Sequence, residues 1–363
     1  MDNILYRKNE NGITITGIEN RCQEINIPEK IQGLDVTEIE SYAFYIENEL
    51  DENESIKRIY IPDTVTKIGE YAFCGCKYLE FIHLPSNLIS ISNHMFSGCE
   101  SLEDISIPKG VLHTEAYAFH NCRNLKKVII PEGCKSVDSY AFYNCRNLFE
   151  VSLPKSIESI GTGLFLNCIR LKYLSFGRYF KIADIIAPLT QELHITIQYD
   201  DGQIAKVLVP DFQYEYIEHT PARIFQQVNY GTGHIFHQCI GNSGIDFRQY
   251  DSCFYLTKRE DEDIMVLLLA MYRLEYPYRL TEDKKQVYLS YIKENVEFAT
   301  RYYISKNDLD SIKFLASLNV FDENNIDRIV DLCVKSNSTE ITSFVMDYRH
   351  RNFDKPKKKT FDL

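Results

Sequence analysis

Four residue types recur along this chain at one fixed interval. Pro62, Pro85, Pro108, Pro131 and Pro154 stand 23 residues apart, and Phe73, Phe96, Phe119, Phe142 and Phe165 keep the same step. Cys76, Cys99, Cys122, Cys145 and Cys168 follow it, as do Leu79, Leu102, Leu125, Leu148 and Leu171. The phrases AFHNCRNL (Ala118–Leu125) and AFYNCRNL (Ala141–Leu148) show how closely two units can agree. A unit this short cannot bury its own apolar face, whereas stacked units can bury one continuous core. The repeat therefore predicts a solenoid in which equivalent residues form vertical columns.

Each unit reads approximately L-x-x-I-x-I-P-x-x-V-x-x-I-x-x-x-A-F-x-x-C-x-x. LKKVIIP (Leu125–Pro131) alternates like a short strand, and its proline ends the ladder because it has no N–H. A second extended piece is expected at VTKIG (Val65–Gly69) and its equivalents. AFxxC then makes a tight turn. Gly75, Gly98, Asn121, Asn144 and Asn167 precede the cysteines, and these residue types tolerate a left-handed backbone. Coils spaced about 4.8 Å apart would pair as strands of one sheet. In such a stack the cysteine acts as a small apolar residue with a weak donor. Side chains stacked in register point the same way, which argues against disulfides between neighbouring coils.

Side chains between the buried positions of each main strand must point outward. They are Lys57, Arg58 and Tyr60; Glu80, Phe81 and His83; Glu103, Asp104 and Ser106; Lys126, Lys127 and Ile129; Phe149, Glu150 and Ser152; and Lys172, Tyr173 and Ser175. Exposed aromatics on a rigid sheet are typical interface anchors. The predicted binding residues are Tyr60, Phe81, His83, Ser106, Lys127, Ile129, Phe149, Ser152 and Tyr173. The alternating basic and acidic rungs are expected to add specificity more than affinity.

The repeat phrase resembles the BspA-like leucine-rich repeat family, whose units carry I-P, a short V-T-x-I-G strand, A-F-x-x-C and a closing leucine. The resemblance reaches upstream: ITITGIENRCQEINIPEKIQGLDVTEIESYAF (Ile13–Phe44) looks like a capping hairpin and a first unit lengthened by IQGLD. That unit lacks the cysteine and inserts an acidic loop, YIENELDENES (Tyr45–Ser55). The similarity covers Ile13 to Phe176 and implies a solenoid that binds other molecules. It names no partner.

Beyond Leu174–Gly177 the period stops. ELHITIQYDDGQIAKVLVP (Glu192–Pro210) alternates on both sides of Asp-Asp-Gly, a hairpin signal. His234, His237 and Cys239, with His219, offer ligand types that zinc accepts, but at no recognisable site spacing. From Glu260 the spacing becomes helical. Helices are expected over Asp261–Tyr276; over Thr281–Lys306 as one long helix or a broken pair capped by Thr281; and over Asn307–Val320, Asp322–Asn337 and Ser338–Asn352. Tyr272, Tyr291, Phe298, Phe314 and Phe344 are expected to pack the core of these helices. DLDSIKFL (Asp308–Leu315) and STEITSFV (Ser338–Val345) look like second helices of ankyrin repeats, without the T-P-L-H opening. The segment also resembles a helical tail found behind BspA-like repeats in bacterial proteins.

The fold class is thus an α/β repeat protein: a leucine-rich-repeat-type β-solenoid, a small mixed segment containing a hairpin, and an all-α helical-hairpin, ankyrin-like domain. The expected divisions are 1–55, cap and irregular repeat; 56–177, repeats; 178–255, connecting region; 256–352, helical domain; and 353–363, basic tail. A net charge of −12 argues against general nucleic-acid binding and against anionic membranes. No stretch approaches the roughly 18 apolar residues of a membrane span. Eleven cysteines with no visible signal peptide suggest free thiols and a cytoplasmic setting. No catalytic residue, cofactor or metal is expected. The functional expectation is a non-enzymatic protein–protein interaction scaffold. The alternatives are an exported cell-surface adhesin, and an enzyme or metal site within residues 190–250.

Overall fold

The computed structural model describes all residues except 1–2, 21, 47–54, 220–223, 337 and 354–363, and gives the backbone alone over 214–219 and 224–229. Most of the acidic loop, nearly all of the basic tail and the side chain of His219 therefore lie outside the described residues. The chain forms two compact units, Met1–Leu256 and Thr257–Leu363.

The first unit opens with an antiparallel pair, β1 (Ile4–Asn9) and β2 (Gly12–Ile18), followed by β3 (Glu24–Asn26), β4 (Lys30–Ile31) and β5 (Leu34–Ile39). The coils then supply β6 (Arg58–Tyr60) and β7 (Lys67–Ile68), β8 (Phe81–His83) and β9 (Ser90–Ile91), β10 (His113–Thr114), β11 (Lys127–Ile129) and β12 (Ser136–Val137), β13 (Glu150–Leu153) and β14 (Ser159–Ile160), and β15 (Tyr173–Phe176). Main strands pair in parallel at one register: Glu24 with Arg58 with Phe81, and Lys127 with Glu150 with Tyr173. The short strands do likewise, Ser90 with His113 with Ser136 with Ser159.

The expected columns form inside. Phe44, Phe73, Phe96, Phe119, Phe142 and Phe165 stack ring on ring, with successive centroids 5.5, 5.5, 5.3, 5.2 and 5.9 Å apart. The cysteine column explains its own chemistry. Each thiol donates to the phenylalanine carbonyl of the preceding coil: Cys76 to Phe44 (3.3 Å), Cys99 to Phe73 (3.3 Å), Cys122 to Phe96 (3.2 Å), Cys145 to Phe119 (3.1 Å) and Cys168 to Phe142 (3.1 Å). The carbonyls of Phe73, Phe96, Phe119 and Phe142 also accept the backbone N–H of the cysteine three residues on, so the S–H is a second, weaker donor that fills the remaining lone pair in a space too small for most polar side chains. All five thiols are free and buried, and burial raises their pKa values.

Gly75, Gly98, Asn121, Asn144 and Asn167 adopt the left-handed backbone expected of them, with φ of +79, +79, +60, +63 and +64°. A second left-handed column was not foreseen. Tyr42, Tyr71, His94, Tyr117 and Tyr140 have φ between +53 and +62°. Each such residue costs roughly 1–2 kcal/mol. Their rings stack at 4.8, 4.5, 4.7 and 5.1 Å, each contact contributing about 0.5–1.5 kcal/mol, so the ladder offsets much of its own strain. The column ends at Gly163 (φ +65°), where an added Cβ would lie 2.4 Å from Cε1 of Tyr140.

The main sheet continues past the last repeat. After β15 a short helix, α1 (Ile182–Ile186), replaces the usual second strand. The chain then returns as β16 (Leu193–Gln198), parallel to β15, with Tyr173 opposite His194. It turns at Gly202 (φ +80°) into the antiparallel β17 (Ile204–Val209). The hairpin of the connecting region is therefore the last piece of the repeat sheet. A second antiparallel pair, β18 (Gln213–His219) and β19 (Ile224–Tyr230), precedes α2 (Gly233–Gln238), α3 (Phe247–Ser252) and α4 (Phe254–Glu260).

The second unit contains α5 (Asp263–Glu275), α6 (Glu282–Glu294), α7 (Val296–Ser305), α8 (Leu309–Ser317), α9 (Ile326–Val334) and α10 (Thr339–Asn352). The long expected helix is a broken pair, interrupted at Asn295. Thr281 occupies the N-cap of α6, but its hydroxyl makes no capping bond. Asp308 does cap α8, accepting from Ser311 N–H at 3.0 Å. Tyr272, Tyr291, Phe298, Phe314 and Phe344 are only half-buried, and the interior is built instead from Tyr288, Tyr303, Phe321 and the aliphatic residues. Arg273 is fully buried and donates to the carbonyls of Tyr276 (3.3 Å) and Tyr278 (3.2 Å), tying the end of α5 to the following turn.

Candidate interaction face

Alternation along each main strand turns one residue inward and its neighbours out. Ile59, Ile82, Val128, Val151 and Leu174 are buried, and the residues beside them form the outer rows. Four large apolar residues on these rows are truly exposed: Ile129 (55%), Phe81 (44%), Phe149 (43%) and Tyr60 (37%). The three aromatics among them, together with half-buried Tyr173, form two pairs. Tyr60 lies 5.4 Å from Phe81, and Phe149 lies 5.1 Å from Tyr173. His194 of β16 extends the second pair, 4.7 Å from Tyr173. The alternation of ELHITI carried that signal, but only the sheet continuation puts His194 on this face.

Between the pairs the sheet is interrupted. The fourth coil has no main strand, and Asp104 makes only an isolated bridge to Lys127. Ile105 occupies the regular inward position yet is only half-buried. The gap opens a groove of about 700 Å³ between Asp104–Lys109 and Lys127–Glu132. Ser106, Lys127 and Ile129 line it. His83 stands beside Tyr60 in register, and Ser152 beside Ile129.

The charged rungs expected to face a partner largely face each other. Lys126 pairs with Glu103 (2.5 Å), Lys127 with Glu150 (2.8 Å) and Lys172 with Glu192 (2.8 Å). Exposed pairs of this kind contribute little to stability. Their effect here is to neutralise the rows, so the face presents aromatics and hydroxyls more than net charge. His194 also donates to Glu192 (2.6 Å); burial lowers its pKa, so the neutral ring makes this contact while Lys172 carries the charge.

The polar residues of the second half do not converge. His234 contacts Gly231 C=O (3.1 Å), and Cys239 donates to Ile235 C=O (3.4 Å). His237 packs edge-on against Phe212 (5.0 Å), and burial lowers its pKa to about 4. Among the described residues, no three His, Cys, Asp or Glu side chains are arranged to hold a metal. Two serine–histidine contacts, Ser97 with His120 and His113 with Ser136, both 3.0 Å, resemble nucleophile–base pairs. Each joins residues 23 apart and is a rung-to-rung contact of the ladder.

The family profile described as BspA type leucine rich repeat region matches residues 37–172 in six copies. This chain is a BspA-type leucine-rich repeat protein. The repeats are similar to a leucine-rich repeat protein from Bacteroides ovatus (33% identity over 50% of this chain and 48% of that one, TM-score 0.45). They are also similar to a leucine rich repeat protein from T. pallidum (30% identity, 46% and 87% covered, TM-score 0.39). A leucine rich cell surface protein from Faecalibacterium prausnitzii matches at 23% identity, with 57% and 59% covered and a TM-score of 0.41. The match to the Bacteroides protein spans less than half of that protein's length. No curated protein matches the chain. The ankyrin-like reading of the helices rests on sequence alone, because the repeat profile ends at residue 172.

Proposed function

We propose that this leucine-rich repeat protein is a non-enzymatic scaffold of a bacterial cytoplasm, binding a protein partner along the outward face of its main sheet. The helical unit would provide a second surface. The observation that carries this reading is the pairing of surface aromatics, exposed Tyr60 with exposed Phe81 and exposed Phe149 with half-buried Tyr173, on either side of an open groove. Such anchors supply contact area at small entropic cost, and strands already held in a sheet lose little freedom on binding. Eleven free cysteines, five of them donating as thiols within the core, support a reducing setting. The bacterial sources of the similar structures support the origin.

The test is affinity capture from the source cell with the intact chain and with Phe81→Ala/Phe149→Ala. The double variant is expected to lose the captured partner while keeping its unfolding midpoint. Capture that survives the double change removes this face as the binding surface.

A further inference from the structure

The two ends of the main sheet are finished differently. At the far end, Tyr250 closes the outer edge of β17. Its hydroxyl accepts from Leu208 N–H (2.9 Å) and donates to Leu208 C=O (2.6 Å). At the near end, among the described residues, β3 pairs with β6 alone. In that pairing Gln23 C=O accepts from Arg58 N–H (2.9 Å), and Ile27 N–H donates to Tyr60 C=O (3.0 Å). Main-chain direction alternates along a strand, so the N–H and C=O groups of Glu24 and Asn26 point away from β6. These four groups have no hydrogen-bond partner among the described residues. The terminal hairpin does not cover them, because β2 pairs with β5 in the other sheet. They border a groove of about 760 Å³, within the usual range for binding sites, lined also by Ile4, Ile18, Ile31 and Cys22. A bare strand edge is a template for pairing, and proteins ordinarily block it, as Tyr250 does at the other end.

The chain itself shows what fits such an edge. β3 reads Glu-Ile-Asn, and β13 begins Glu-Val-Ser. On β13 lies β11, Lys-Val-Ile, in parallel register: Lys127 opposite Glu150, Val128 opposite Val151 and Ile129 opposite Ser152. The Lys127 ammonium is 2.8 Å from the Glu150 carboxylate. Glu24 holds the corresponding place on β3, exposed and bonded to the Asn26 amide (3.0 Å). Exposed Glu19 and Glu29 flank the strand, and Lys30 is paired with Asp35 (3.2 Å). Arg58 of β6, also exposed, stands opposite Glu24 in register, so Glu24 has a basic neighbour on its paired side and none on its open side among the described residues.

We propose that β3 accepts a parallel strand from another protein, an extended segment of pattern basic–apolar–x–apolar that sets its basic side chain on Glu24 and its main chain on Glu24 and Asn26. Main-chain bonds supply affinity in such strand addition, and the alternate side chains supply selectivity.

The probe is a synthetic peptide with the sequence of Asn124–Gly133, NLKKVIIPEG, capped at both ends. Two readouts are followed: alkylation of Cys22, with half-buried Cys74 as internal control, and amide exchange over residues 22–28. Saturable slowing of both, with Cys74 unaffected, is expected. In the β11–β13 pairing, the Ile130 amide donates to Ser152 C=O at 3.0 Å. N-methylation of the peptide at its Val128 and Ile130 equivalents should therefore abolish protection. Methylation at the Lys127 and Ile129 equivalents should spare it. Glu24→Lys, a change at an exposed position, should weaken the lysine peptide several-fold, and a peptide with glutamates in place of both lysines should recover on that variant. Absence of saturable protection overturns the proposal, as does indifference to the phase of methylation or to the charge exchange.

Discussion

Two phenylalanines 30 residues apart, Phe119 and Phe149, test the inside–outside assignment on which the interaction face depends. Phe119 is fully buried, its ring stacked between Phe96 at 5.3 Å and Phe142 at 5.2 Å. Truncating it to alanine removes both stacks and leaves a cavity, for a cost of about 3–5 kcal/mol. The upper part of that range is expected, because strands on either side hold the coils apart and keep the space from collapsing. Phe149 is 43% exposed and touches mainly Tyr173. Losing one cross-strand contact of that kind costs less than about 1 kcal/mol. With a urea slope of about 3 kcal/mol per M, Phe119→Ala should lower the midpoint by roughly 1 M or more and Phe149→Ala by under about 0.3 M. The assay is pulsed alkylation of Cys99 and Cys145 across a urea series. Both thiols are inaccessible in the folded solenoid and report on it without interference from the helical unit. Equal losses from the two variants would refute the outward placement of Phe149. A loss under about 1 kcal/mol for Phe119→Ala would refute the stacked column as a source of stability.

Two further outcomes follow from the same packing. In the native protein at mildly alkaline pH, Cys22 and Cys74 should be alkylated while Cys76, Cys99, Cys122, Cys145 and Cys168 stay unmodified until urea unfolds the coils; mass mapping of the labelled sites checks this, and ready modification of the column would contradict its burial. Burial also holds His94, His120, His194 and His237 below the usual imidazole range, His237 to about 4, so the unfolded chain binds more protons than the folded one between about 4 and 6.5. The stability of the first unit should therefore be fully present above about 6.5 and decline as pH falls through that window, with urea midpoints at pH 7.5 and 5 in physiological salt as the measurement. A higher midpoint at pH 5 would reverse the sign and refute the reasoning.

What the sequence by itself determined is whatever the period writes into every coil. Proline, phenylalanine, cysteine and leucine recur because each coil meets its neighbour in the same way, so one unit predicts the rest. Asn121, Asn144 and Asn167 could be read as left-handed because few residues accept that backbone. Helices α5 to α10 could be placed from apolar spacing, since a helix carries its own periodicity. Tertiary structure decided the features that depend on a neighbour's geometry. Tyr42, Tyr71, Tyr117 and Tyr140 are poor candidates for a left-handed backbone until their rings are seen to stack. Ile105 looks like any inward isoleucine, yet its coil departs from the sheet and opens the groove. His194 joins the face only because β16 pairs with β15 after the repeat has ended. The open edge of β3 belongs to the same class: three ordinary residues whose significance lies in the strand that is not beside them. Local pattern records what each residue prefers, whereas pairing between distant segments decides which backbone groups and which rings are left facing solvent.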